Sequence, residues 1–435
     1  MLQFIKKLFC FALVMHRRLA SQQLFFKEQN IASKQYSVPF VVRRRINESR
    51  RARILDCLPW VLTAAFLTLC LLHYFSRRPL WSDEMWVFQS VQKLSLREIF
   101  GMLVGAQVFP RVHLFCVKFI SMYFNDDLLA VRFLSLAFMI GAYFVWRRIF
   151  ILELGKGWLA ILAIASFVAS YQLSYYASEL KPYSMDVLTV GVYCLFMYYQ
   201  RGFKDKAPTP GLYLSVLLLP LLIFFSYAGL FVFWMVGLNF LRLLRHNQKL
   251  WPVFLMHAIA ASACFAALYK IDLQYSVTVS GLYDYWKDYF LGVKSFYSFI
   301  APFGEGLREL ATWWFGHSKL FIRMATPFVP LFVYSLGRYG FGSWVKDRGG
   351  VFSLPGMGAF LFLELVVLSI LRKYPFTGDR ITLFLAPFVF FFIVKGIDSL
   401  KNVRIVYPLI LSYYILFLSV CLVSSFIHFL SLYHG

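Results

Sequence analysis

Charge is scarce in this sequence, and negative charge scarcer still: only 15% of its residues are Asp, Glu, Lys or Arg, with 21 acidic against 44 basic. A soluble domain keeps about 25% charged residues to cover its surface, so an ordinary soluble globular protein is excluded. Cysteines are also few. The seven of them, Cys10, Cys57, Cys70, Cys116, Cys194, Cys264 and Cys421, form no CxxC pair. That removes metal-ribbon, redox-motif and disulfide-framework readings and leaves buried apolar thiols. Long polar stretches are missing too, so no soluble domain remains once the apolar segments are counted. The N-terminal "MLQFIKKLFCFALVMHRR" has a short apolar core with basic flanks but lacks a small-residue cleavage site. It reads as a cytoplasmic interfacial helix or as an over-long start of the frame.

What is abundant is apolar surface: 60% of the residues are hydrophobic and 20% aromatic. Windows of roughly 18 to 22 apolar residues recur and end in short basic clusters, the pattern of a polytopic all-α membrane protein. About eleven spans are expected, over 55–75, 128–146, 158–176, 184–200, 211–226, 228–241, 251–269, 321–337, 351–371, 381–397 and 405–426. The net charge of +23 then has a topological meaning. With the N-terminus cytoplasmic, residues 1–54 carry +10 and the five inward loops around 146–156, 200–206, 241–249, 337–348 and 395–404 carry +11. Positive residues collect on the cytoplasmic side of a membrane, so no nucleic-acid partner is implied. Three parts follow: a basic segment 1–54, a module 55–200 whose first outer loop is 76–127, and the remaining helices 201–435 with outer loops 270–320 and 372–380.

Segment 108–124, "VFPRVHLFCVKFISMYF", is apolar enough to compete as a further span, but it carries Arg111, His113 and Lys118. A span there would flip every later loop and move the basic clusters outside. It is therefore expected to be amphipathic and to lie at the outer interface.

Every carboxylate cluster beyond the cytoplasmic loops falls on the outward side. "WSDEMW" (81–86) opens the first outer loop with Asp83 and Glu84 between tryptophans. Two readings stand: a solvated loop start with Trp81 and Trp86 as interfacial anchors, or a carboxylate pair whose desolvation suits a general base. "YYASELKPY" (175–183) puts Glu179 and Lys181 among tyrosines at a span exit, where a pair can snorkel or act. The last outer loop sets Arg372, Lys373, Asp379 and Arg380 around "YPFTG", with Pro375 and Gly378 forcing a tight re-entry. Basic side chains on an otherwise neutral face suit an anionic lipid headgroup, whether as anchors or as a site.

The order of these motifs resembles the GT-C superfamily of polytopic glycosyltransferases, in the branch of protein O-mannosyltransferases and the aminoarabinose transferase of lipid A. The likeness runs through Asp83-Glu84, Phe109-Pro110-Arg111-Val112-His113, Arg132-Phe133-Leu134-Ser135, Glu179-Leu180-Lys181-Pro182-Tyr183 and "YPFTGDRITLFLAPF". It covers about residues 80–200 and 372–390, while the middle matches in hydropathy alone. Arg111 and Val112-His113 stand where that branch commonly has a second proline and a Leu-Tyr pair.

The resemblance implies a GT-C-like fold and transfer of a sugar, with inversion, from a polyprenyl-phosphate carrier to the hydroxyl of a lipid, glycan or protein acceptor. It implies Asp83 as base with Glu84 orienting it or the acceptor. Arg380 would face the leaving phosphate with Lys181 and Lys373 in support, and Glu179 and Tyr183 would contribute to substrate binding. Some members use a divalent metal, so an ion bridging Asp83 and Glu179 stays open. Two other readings also stay open: a lipid-linked polysaccharide polymerase or ligase using loop 270–320, and a lipid or sugar transporter. Against the transporter, mid-span acids amount to little more than Glu364 and no internal repeat is evident. A compact chain of this kind leans towards a bacterial inner membrane.

Overall fold

The computed structural model describes residues 41–124, 126–276, 281–292, 295–316, 318–346 and 350–433, so the N-terminal stretch 1–18 and Cys10 lie outside the described residues. The chain divides into two compact units, Met1–Ile54 and Leu55–Gly435. The second unit holds both the 55–200 module and the later helices.

Among the described residues all regular structure is helical. Long apolar runs dictate this, because a helix satisfies its backbone donors and acceptors within one segment. In chain order the principal helices are α1 (Val41–Phe75), α2 (Ser82–Lys93), α3 (Arg111–Ser121), α4 (Asp127–Leu154), α5 (Trp158–Ala169), α6 (Tyr171–Tyr176), α7 (Tyr183–Gln200) and α8 (Pro210–Leu218). There follow α9 (Gly229–Leu244), α10 (Trp251–Leu268), α11 (Phe296–Thr312), α12 (Lys319–Ala325), α13 (Leu354–Ile370), α14 (Ala386–Ser399) and α15 (Val406–Tyr433).

Among the described residues six helical stretches are long and apolar enough to cross a membrane: Asp56–Phe75, Asp127–Leu154, Gln248–Leu273, Lys319–Lys346, Arg380–Ser399 and Val406–Leu430. They are compatible with a multi-pass membrane protein. Of the other expected spans, 184–200 and 228–241 are helical throughout as Tyr183–Gln200 and Gly229–Leu244, 351–371 is helical over Leu354–Ile370, and two are interrupted for local reasons. The 158–176 stretch breaks at Ser170, which ends α5 and caps α6 through a 3.4 Å bond from the Leu173 N–H. The 211–226 stretch tightens into a 3₁₀ turn at Leu219–Phe224, where Pro220 has no N–H to continue the ladder.

Helix α14 is apolar all round and buried from Ala386 to Val394, and α5, α11, α13 and α15 pack against it. Helices α4 and α7 make the broadest pairing. Their approach depends on Gly191, where an added Cβ would sit 2.8 Å from the Trp146 indole nitrogen, which instead donates to the Val187 carbonyl at 3.0 Å. Many side chains on the bundle's outside are apolar and exposed, Ile259 at 70% and Leu409 at 64% among them, as a lipid-facing surface requires.

The loops sort into two sets at opposite helix ends. At one end Arg201 pairs with Glu153 at 3.3 Å and the Asn247 amide donates to the Phe203 and Lys206 carbonyls. At the other end the Arg78 guanidinium donates to the Ser178 carbonyl at 3.1 Å, the Phe376 N–H to the Tyr289 carbonyl at 3.1 Å, and Thr377 to Glu309 at 2.5 Å. These bonds join the first outer loop to 177–183 and the third outer loop to 372–380.

The first of these loops folds on the end of α4 around its own small core of Val87, Val91, Ile99, Phe109, Leu114 and Val117. Helix α3 has 11 residues and is about 16 Å long, well short of a membrane's ~30 Å apolar thickness. Its polar side chains do not line an outer face. Arg111 and His113 are both 1% exposed: the Arg111 guanidinium donates to the Phe109 carbonyl at 3.0 Å and His113 Nδ1 meets the Phe225 carbonyl at 3.2 Å. Burial pushes the His113 imidazole down to about 4, so it is neutral near pH 7.

Candidate active site

Trp81 is the extended residue before α2, so Asp83 and Glu84 fall in the first turn, where the helix dipole favours carboxylates. Consecutive helical residues point roughly 100° apart, and the two acids part company at once. The Asp83 side chain stays 24% exposed, whereas Glu84 turns inward and is fully buried.

Asp83 is the meeting point of three loops. One of its oxygens lies 3.0 Å from Lys181 Nζ and the other 3.4 Å from an Arg380 guanidinium nitrogen. Lys181 also reaches the Gln107 side-chain oxygen at 3.3 Å. Burial pushes the Lys181 ammonium down, and the neighbouring Asp83 carboxylate opposes that shift. Arg380 is delivered by a tight re-entry, in which Asp379 caps the 3₁₀ turn Arg380–Leu385 in a reciprocal box with Thr382. Its guanidinium lies over the Trp81 ring, 4.4 Å from the centroid.

Glu84 is held from below. Arg132 of α4 grips both its oxygens, at 3.2 and 2.9 Å from Nη2, and the Leu180 N–H donates to it at 2.6 Å. Arg132 also donates to the Arg78 carbonyl at 2.8 Å, and the Ser135 hydroxyl to the Glu179 carbonyl at 2.5 Å. One turn of α4 therefore fixes the start of α2 and the 178–181 turn together. The sequence pattern alone gives Arg132 no role, although it carries a signal: a guanidinium within an apolar span needs a buried carboxylate partner.

Glu179 is 1% exposed and accepts the Trp81 indole N–H through one oxygen, while its other oxygen has no hydrogen-bond partner. Burial pushes its carboxyl up to about 7, with Glu84 adding to the shift and Arg78, Trp81 and Lys181 opposing it. The structure thus brings Asp83, Lys181 and Arg380 into one cluster with Glu84 and Glu179 beneath it. Tyr183 stands beside them, 8% exposed, its ring edge-on to Tyr176 at 5.3 Å and near enough for the charges of Arg380, Glu179 and Asp83 to act on it. Lys373 does not join. It is exposed, and its backbone N–H closes the end of α13 on the Leu368 carbonyl at 2.8 Å after Arg372 turns to φ 55°.

A divalent ion bridging Asp83 and Glu179 does not fit this donor set. Asp83 already faces two cations, one Glu179 oxygen already accepts an indole donor, and among the described residues no group of three or more His, Cys, Asp or Glu converges. The third outer loop, with Asp288, Tyr289, Glu305 and Glu309, and Phe376 of the last outer loop line a cleft of about 120 Å³. Comparison of the chain with family models, with curated proteins and with solved structures finds no match in any of the three.

Proposed function

We propose that this chain is a membrane glycosyltransferase of the GT-C kind, moving a sugar from a polyprenyl-phosphate carrier to an acceptor hydroxyl on the outer face. One observation carries the proposal: a partly open carboxylate, Asp83, with a cation 3.0 Å from one oxygen and another 3.4 Å from the other, assembled from three separate loops. A carboxylate and fixed cations at one spot are what displacement at a phosphate-linked anomeric carbon requires.

In this mechanism Asp83 holds the two cations until the donor arrives. The lipid phosphate draws Arg380 and Lys181 to its oxygens, and Asp83 is freed to accept a proton. The acceptor oxygen then attacks the anomeric carbon from the face opposite the phosphate. A C–O bond forms to the acceptor, the C–O bond to phosphate breaks, the acceptor proton passes to Asp83, and the polyprenyl phosphate leaves with the electron pair. The configuration inverts. Charge growing on the leaving oxygens meets cations already in position, so little reorganisation is needed.

The same proposal takes the eleven helical segments as spans, α3 as interfacial and the basic loops as cytoplasmic, in an inner membrane of bacterial type. Its support is the meeting of the weakly charged loops at one end and of the basic loops at the other. The test is transfer of labelled sugar from its lipid carrier in membranes at matched protein level. Asp83→Asn keeps shape and loses basicity, so transfer falls about 100-fold or more while insertion persists. Full transfer by Asp83→Asn removes the base assignment.

A further inference from the structure

The most isolated feature of the cluster is how loosely Arg380 is held by charge alone. Its closest carboxylate contact is 3.4 Å, and its Nε is buried without a hydrogen-bond partner. Its guanidinium also lies over the Trp81 ring, whose centroid is 4.4 Å from the guanidinium carbon. Trp81 is itself clamped. Its indole N–H donates to Glu179, whose backbone carbonyl receives the Ser135 hydroxyl of α4 at 2.5 Å. A line of contacts therefore runs from the α4 helix through the 178–181 turn and the Trp81 indole to Arg380.

We infer that Trp81 is the positioning residue of this site: the indole, fixed at its N–H edge by Glu179, supplies the face that sets where Arg380 presents its charge beside Asp83. The inference rests on the transferase reading for its purpose, but the geometry it describes does not. A flat guanidinium is suited to an aromatic face and keeps its in-plane N–H donors free for an anion while lying there. An indole hydrogen-bonded at its edge is restrained from turning, whereas an unrestrained ring at a half-buried position is free to rotate. The tryptophan that reads from sequence as a membrane anchor thus becomes part of the cation's seat, and Glu179 acts through it without touching Arg380.

The test reads Arg380 directly. Full-length protein in lipid nanodiscs is treated with phenylglyoxal, an arginine-specific reagent, and the rate of Arg380 modification is followed by mass spectrometry. Trp81→Leu removes the face and is expected to raise that rate about ten-fold, while Trp81→Phe keeps a ring but loses the N–H held by Glu179, so its rate is expected to rise about three-fold, well short of Trp81→Leu. Glu179→Leu leaves the ring but removes its restraint, and an intermediate rise of about three-fold or more is expected. Trp86→Leu, at an exposed tryptophan on the helix α2 that follows Trp81, serves as the control and is expected to change nothing. A comparison of thermal midpoints identifies any variant that has lost its fold, and the Glu179→Leu arm then decides from a different side of the ring.

Sugar transfer is measured in parallel. Trp81→Leu is expected to raise KM for the lipid-linked donor more than it lowers kcat, with Trp81→Phe recovering most of the loss. An unchanged Arg380 rate in folded Trp81→Leu, or an equal rise in Trp81→Phe and Trp81→Leu, overturns the inference. If Arg380 responds as expected but the parent protein transfers no sugar, the positioning stands and the transferase reading falls.

Discussion

Both oxygens of Glu84 are held by Arg132 Nη2, at 3.2 and 2.9 Å, with neither side chain more than 1% exposed. A pair so deeply buried is worth little against an apolar replacement of both partners, but breaking it by removing one leaves an uncompensated charge at about 3–5 kcal/mol. Arg132→Met is therefore expected to lower the unfolding midpoint in detergent sharply, and Glu84→Gln with Arg132→Met to regain part of the loss. If Arg132→Met shifts stability by less than about 1 kcal/mol, the pair is not the support of Asp83.

The pH dependence of stability follows from Glu179. Its carboxyl titrates near 4.5 when unfolded and is pushed up to about 7 by burial in the folded protein. Between those values the folded state holds the extra proton, so stability is full below pH 4.5 and falls as pH rises towards 7. The total loss is on the order of 3 kcal/mol and is flat beyond. Glu179→Gln carries no such proton and is expected to lack this slope. Unfolding midpoints of both proteins at pH 5 and pH 8 provide the measurement, and parallel slopes refute the assignment.

Much of the site was legible because charge is so rare in this chain. Asp83, Lys181 and Arg380 stand out against apolar neighbours, and the sorting of basic clusters to one side left them on the other. What was not legible depends on direction and on distance along the chain. Glu84 reads as the companion of Asp83, yet one step along a helix turns it inward to Arg132, 48 residues later. Trp81 reads as a membrane anchor because nothing local predicts that Glu179 and Arg380 will lie on its edge and face. Lys373 reads as a second phosphate cation because a helix end at Arg372 does not announce itself without a glycine. The spans were read at full length because hydropathy windows do not see a cap at Ser170 or a 3₁₀ turn at Pro220.

Orientation is tested by labelling. Ser82 and Lys204 are both exposed and lie in the two different loop sets. In a background without native cysteines, Ser82→Cys is expected to react with a membrane-impermeant thiol reagent from outside, and Lys204→Cys only after the membrane is opened. Reaction of Lys204→Cys alone from outside turns the protein over and strands the cluster on the cytoplasmic face.

Gly378 offers a steric test of the site, because it lies against α11 at the point where the last outer loop re-enters. A Cβ built there meets the Glu309 carbonyl carbon and oxygen at 2.4 Å and the Leu310 nitrogen at 2.8 Å. Those are helix backbone atoms and cannot swing aside as a flexible side chain would. Gly378→Ala must therefore push the 376–380 segment away from α11, and Arg380 with it. Overpacking of this kind costs about 1–3 kcal/mol, and a displacement near 1 Å at a charged catalytic group is enough to slow transfer about 100-fold. Gly304 lies in the same helix with nothing within 4 Å of its added Cβ, so Gly304→Ala is the matched control. It is expected to leave transfer unchanged and to raise stability by up to about 1 kcal/mol, since alanine is the better helix former. Sugar transfer and unfolding midpoint measured on both variants check this, and a Gly378→Ala protein with parental activity separates the re-entrant turn from the site.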